Sequence, residues 1–102
     1  MKIICVKTSV KELDLAKEIS RVLIEERLVA CVQISKVYSI YVYEGEFCEE
    51  KEFCLEIKSQ AKHFKKIKSK IKALHSYDLP EILKIKVSAS KKYEKYIGEN
   101  TK

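Results

Sequence analysis

The sequence predicts one α+β domain, residues 1–102, built on an antiparallel sheet. Three observations lead there. Apolar spacing switches between strand-like and helix-like periods in the order strand, helix, strand, strand, helix, strand, short helix. Two glycines and one proline leave room only for short turns between long elements. Apolar residues make up 46% of 102 residues, enough for one core in a chain too short for two domains. The β-α-β-β-α-β order is that of the ferredoxin-like split βαβ arrangement, with two helices on one face of a four-stranded sheet. The right-handed crossover rule puts the second and fourth strands at the edges.

Ile3 to Val6 is a continuous apolar run, read as a central strand that Thr8 and Ser9 end. Ser9-Val10-Lys11-Glu12 matches a capping box and predicts a helix to about Glu26. Leu13, Ala16, Ile19 or Ser20, and Leu23 share one face of that helix. Val29 to Tyr43 has no Gly or Pro and is rich in Val, Ile and Tyr, so it reads as a strand of about 50 Å. Glu44-Gly45-Glu46 turns the chain, and Phe47 to Lys58 returns with Phe53, Leu55 and Ile57 on one face. Ser59 is placed to cap a helix over Gln60 to Leu74, with Phe64, Ile67, Ile71 and Leu74 as its apolar stripe. Leu83, Ile85 and Val87 alternate with lysines in a fourth strand. Ser90 to Glu99 reads as a short last helix burying Tyr93, Tyr96 and Ile97.

Net charge is +6 but uneven: residues 1–50 carry 7 Lys/Arg against 9 Asp/Glu, and residues 51–102 carry 14 against 6. The excess raises the question of nucleic acid. Its place on the second helix, away from a sheet that carries Glu46, Glu49, Glu50 and Glu52, argues for a solvated face instead. Cys5, Cys31, Cys48 and Cys54 form no C-x-x-C pair, and Cys48 and Cys54 fall about 20 Å apart on one strand. Reduced thiols and a cytoplasmic location are the expectation. No stretch is long and apolar enough for a membrane span.

The sequence concentrates chemistry in His75-Ser76-Tyr77-Asp78-Leu79-Pro80-Glu81-Ile82, between the second helix and the fourth strand. Pro80 cannot continue a helix and stiffens the crossing. Two readings stand side by side: a turn with a capping histidine, or a held set of polar groups forming a site. A helix of about 24 Å cannot cover a hairpin of about 50 Å. Tyr38, Ile40, Tyr41, Val42, Tyr43 and Phe47 are therefore expected to be bare, and the chain to form a homo-oligomer through its hairpins. The other outcome is a strand broken near Ser35-Lys36 that folds back on its own core.

Several segments carry a family likeness. Glu26-Arg27-Leu28-Val29-Ala30-Cys31-Val32-Gln33 is similar to E-R-L-A-A-C-V-N. Tyr41-Val42-Tyr43-Glu44-Gly45 is similar to Y-x-W-x-G. Glu52 with Lys58-Ser59 matches an E…K-T strand, His75 to Ile82 matches H-P-Y-E-x-P-E-I, and Tyr93 with Tyr96-Ile97 echoes Y-L-x-W-I. Over nearly its whole length the chain resembles the CutA divalent-cation tolerance proteins. The resemblance implies a cytoplasmic homotrimer, similar in architecture to the PII signalling trimers, linked to tolerance of copper and other divalent metals. It implies a cleft between subunits holding Lys58, His75, Tyr77 and Glu81, with Tyr41, Glu52 and Cys31 nearby. Tyr43, Ser76 and Asp78 depart from the family's Trp, Pro and Glu. Lys7 stands where some members carry a cysteine viewed as a copper ligand, and Cys5 lies two residues earlier on the same face.

Four functions follow. His75 and Glu81, joined by Cys31 or Cys5, offer donors suited to copper or zinc. Lys58 and His75, oriented by Tyr77 and Glu81, would instead take a small anionic or signalling ligand. Catalysis is not expected: no nucleophile elbow, phosphate loop or metal triad is present, and Lys7-Thr8-Ser9-Val10 has no glycine to cradle a phosphate. RNA binding is not expected either, because the RRM's aromatic pattern is missing. No obligatory cofactor is implied.

Overall fold

The computed structural model describes residues 1–102. Its elements are β1 (Ile3–Val10), α1 (Leu13–Glu25), β2 (Cys31–Tyr43), β3 (Glu46–Gln60), a 3-10 turn (Ala61–His63), α2 (Phe64–Leu74), β4 (Leu83–Val87) and α3 (Lys91–Glu99). Every strand pair is antiparallel and the sheet order is β2-β3-β1-β4. The edge strands are the second and the fourth, as the crossover rule requires.

Register decides which side chains meet the helices. Val6 lies opposite Ile57 and Thr8 opposite Leu55, so these four share one face. That face joins Ala16, Ile19 and Leu23 of α1 and Ile67 and Ile71 of α2 in one buried cluster. Cys5, Lys7 and Ser9 point to the other face, beside Lys58, Glu56 and Cys54. There Leu83, Ile85 and Val87 of β4 are 47%, 40% and 37% exposed. Lys84 projects to the helix side instead, its ammonium 5.0 Å from the Phe64 ring.

Local signals lost to the sheet at two serines. Ser9 does not end β1 or cap α1; the strand runs on to Val10 because Ser9 and Val10 pair with Cys54 and Phe53 of β3. The N-cap of α1 is Glu12, with no side-chain cap bond, and Leu13 is exposed. Ser59 stays in β3 opposite Ile4, and its hydroxyl donates to the Leu28 carbonyl rather than to a helix. α2 therefore starts after the 3-10 turn, at Phe64. At the far end of α1, Leu28 N–H bonds the Leu23 carbonyl and Arg27 N–H the Ile24 carbonyl, with Arg27 at φ 57°. This is the Schellman closure, with arginine where glycine is usual. In α3 only Ile97 is buried; Tyr93 and Tyr96 are 38% and 41% exposed, and the Tyr96 hydroxyl donates to the Ala30 carbonyl.

The hairpin is unbroken. β2 and β3 pair from Cys31–Lys58 to Tyr43–Glu46 with no interruption at Ser35-Lys36. Glu44 and Gly45 close it at φ 50° and 79°, the two positive angles a type I′ turn demands. Thirteen paired residues give about 44 Å of ribbon, and the long axis of the chain is 44 Å. α1, also 13 residues, spans only about 20 Å. Tyr38, Ile40, Val42 and Phe47 are accordingly 66–72% exposed, and Tyr41 and Tyr43 36% and 40%.

One buried polar atom has no partner, the hydroxyl of Thr8, in a residue that is 0% exposed. Thr8→Val keeps the shape and removes the orphan. The expected gain is about 1 kcal/mol, read as a higher urea midpoint at fixed protein concentration. A lower midpoint would mean that the hydroxyl is satisfied.

Candidate functional site

β1 pairs with β3 through Val10, but with β4 only as far as Lys7, opposite Leu83. The β4 side of Ser9 thus has no strand beside it. His75, the C-cap of α2, fills that gap: its Nε2 lies 2.8 Å from the Ser9 carbonyl oxygen. The Tyr77 N–H donates to Nδ1 at 3.1 Å. Nδ1 must therefore accept, which puts the proton on Nε2, donating to Ser9. Both ring nitrogens are engaged with backbone, and the imidazole pins the crossing segment to the end of β1.

The pinned segment delivers Tyr77 to β3. Its ring sits 4.9 Å from that of His75, and its hydroxyl donates to Glu52 Oε2 at 2.6 Å. Burial first, then the bond to Glu52, pushes the Tyr77 phenol well above its usual range. Two residues back along β3, Glu50 Oε2 accepts from the Tyr41 hydroxyl at 2.9 Å. That bond, ahead of other causes, raises the Tyr41 phenol to about 12. Glu52 is buried, 6% exposed, on the face away from the helices.

Between the crossing segment and the hairpin lies a cavity of about 570 Å³. Its walls carry the carboxylates of Glu50, Glu52, Asp78 and Glu81 and the rings of Tyr41, Tyr43 and Tyr77; Lys11 is the one cationic lining residue. The lining is net negative. No group of three or more His, Cys, Asp and Glu side chains converges within the subunit in a way that could hold a metal ion.

The residues singled out from sequence divide in two. Tyr41, Glu52, Tyr77 and Glu81 line one cavity, with His75 behind it as the anchor. Lys58, Cys5 and Cys31 form a row across the sheet, since Lys58 pairs with both cysteines. Lys58 lies six residues along β3 from Glu52, about 20 Å, and its ammonium donates to the Gln33 side chain. All four cysteines are free thiols. Cys31 lies beside Tyr93, whose phenol is raised by burial and then by that thiol. Asp78 of the crossing motif lines the cavity too, and Glu50, Ser9 and Lys11 join it without having been singled out as site residues. The i, i+2 spacing of Glu50 and Glu52 was the available signal, because it puts both on one strand face.

Comparison with known proteins bears on this arrangement. Residues 4–100 match the model of the family described as CutA1 divalent ion tolerance protein. A divalent-cation tolerance protein CutA of Thermus thermophilus is 39% identical over 90 residues, 86% of this chain and 87% of that one. The protein of the same description from Pyrococcus horikoshii is 33% identical over 100 residues, 97% and 98% of the two chains. Among solved structures, the periplasmic divalent cation tolerance protein CutA of Archaeoglobus fulgidus superposes with a TM-score of 0.95 at 28% identity, covering 98% of this chain and 99% of that one.

The Tyr77–Glu52 bond has a pH signature. A phenol whose folded-state value lies above its unfolded value, 10.0, stabilises fully below pH 10.0 and progressively less as pH rises beyond it. Tyr77→Phe should cost about 1–2 kcal/mol at neutral pH and lose less stability than the parent above pH 10.0. Urea midpoints measured from neutral to alkaline pH check this, and parallel curves would refute it. His75→Ala removes two hydrogen bonds and should cost about 2 kcal/mol.

Proposed function

Because the chain belongs to the CutA1 divalent ion tolerance family, we propose that it serves divalent-cation tolerance as a cytoplasmic homotrimer whose acidic cleft receives the cation. One observation carries the reading: four carboxylates and three phenols face a single cavity against one lysine. A wall of that charge attracts cations and repels anions. Its donors are oxygens, which suit hard divalent ions better than Cu(I). Fewer than three metal-binding side chains converge within one subunit, so a metal held there takes the rest of its shell from water or from a neighbouring copy.

Trimerisation is supported by the bare ribbon. Tyr38, Ile40, Val42 and Phe47, each at least 66% exposed, are an apolar surface of the kind that marks an assembly site. The opposite sheet face adds Leu83, Ile85 and Val87. Free thiols at all four cysteines accord with the cytoplasm. Copper on His75 and Glu81 with Cys31 or Cys5 is the competing arrangement. It needs His75 to release Ser9 or Tyr77, and a cysteine from another subunit, because Cys5 lies about 13 Å along β1 from Ser9. An anionic ligand needs Lys58 from a neighbour for the same reason.

Light scattering should give a mass about three times the 11.9 kDa of the subunit, and Val42→Asp should lower it. Titration of the reduced trimer with Mn(II), Mg(II), Zn(II) and Cu(II) should show saturable binding. Glu81→Gln should weaken it about tenfold, and Cys5→Ser and Cys31→Ser should leave it nearly unchanged. Loss of binding on either cysteine substitution would favour the imidazole–thiol arrangement.

A further inference from the structure

Glu52 is a carboxylate 6% exposed to solvent, and it has no cationic partner in the subunit. The ion pairs are those of the Met1 amino group with Glu94, Lys70 with Glu26 and Lys95 with Glu99. Buried carboxylates without a counter-charge are rare, because desolvating the charge is costly. Glu52 spends Oε2 on Tyr77, while Oε1 accepts no hydrogen bond and is not sealed from the cavity that the residue lines. Glu50 repeats the pattern, with Oε2 on Tyr41 and Oε1 unengaged. The two glutamates stand about 7 Å apart along one strand face.

The cavity is also the wrong size for a bare ion. Its volume of about 570 Å³ falls within the range of organic-ligand pockets, about 300–1,000 Å³. Tyr41, Tyr43 and Tyr77 are among its lining residues. A ring face beside a carboxylate suits an alkylammonium group, which gains from the ring quadrupole as well as from the charge. Carboxylates stand on both sides of the opening, Glu50 and Glu52 on the hairpin and Asp78 and Glu81 on the crossing segment.

We propose that this cavity binds linear aliphatic diamines as their diammonium ions. One ammonium meets the free oxygens of Glu50 and Glu52, the other faces Asp78 and Glu81, and the methylene chain lies along Tyr41 and Tyr77. The proposal rests on reading the cleft as cation-selective. It adds a ligand class, an organic ion of charge two, to the metal ions considered above.

Calorimetry on the assembled protein with 1,4-diaminobutane tests it, with 1-aminobutane and 1,4-butanediol as comparators at constant ionic strength. The expected result is saturable binding of one diamine per subunit. The monoamine should bind about tenfold more weakly or worse, and the diol not at all. Glu52→Gln and Glu50→Gln should each lower diamine affinity about tenfold, and Lys11→Gln should raise it. Glu50 is half-buried and Lys11 exposed, so their variants report even if Glu52→Gln fails to fold. Equal affinity for diamine and monoamine, or indifference to these substitutions, overturns the proposal. So does a crystal structure of the oligomer with a partner subunit's cation seated on Glu52. Saturable Mn(II) binding with no diamine binding sinks this inference alone; binding of neither sinks the cation-cleft reading as well.

Discussion

The ladders of the central strand decide where everything else goes. β1 is paired along its whole length on one side and over only five residues, Ile3 to Lys7, on the other. A backbone carbonyl left beside an empty strand position must find another donor. Here it finds the His75 imidazole. That bond stops the crossing segment from drifting into solvent, Tyr77 is carried onto Glu52, and the cavity acquires its second wall. His75, singled out from sequence as a metal- or ligand-binding group, here takes the place of a missing strand residue.

A second constraint comes from two lengths that do not match. The helix layer covers the proximal part of the sheet, where Ile4, Val6, Leu55 and Ile57 are essentially inaccessible to solvent. Beyond it the hairpin continues with apolar side chains on both faces. The cavity lies at this junction, with compact sheet at its back and free ribbon at its flank. Cleft and bare ribbon are thus products of one mismatch.

Much of this was legible in the sequence. Alternation at Phe53, Leu55 and Ile57 and the helical stripe of Ile67 and Ile71 gave the element types, and the crossover rule gave the strand order. The residues expected to lie bare on the hairpin do so. What stayed hidden was non-local. Ser9 and Ser59 both carry strong helix-start chemistry, yet each is held in a strand by partners in distant parts of the chain, Cys54 for one and Ile4 for the other. The same limit applies to the site. Motif likeness grouped Lys58 with His75 in a cleft between chains; within one chain β3 sets Lys58 six residues of extended strand from Glu52. Glu50, with no motif of its own, enters the cavity because strand periodicity aligns it with Glu52.

The tight turn at Glu44-Gly45 has a consequence in time as well as in space. A hairpin closed by two residues is among the quickest tertiary features to form, on the order of microseconds, whereas the β1–β3 and β1–β4 ladders join distant segments and come together more slowly. The ribbon, with Tyr38, Ile40, Val42 and Phe47 on its surface, is therefore complete while the rest of the subunit is still being organised. During biosynthesis each new chain carries a finished adhesive strip before the body that will present it. An apolar strip completed that early is the stretch of this chain most open to aggregation until the sheet closes around β1.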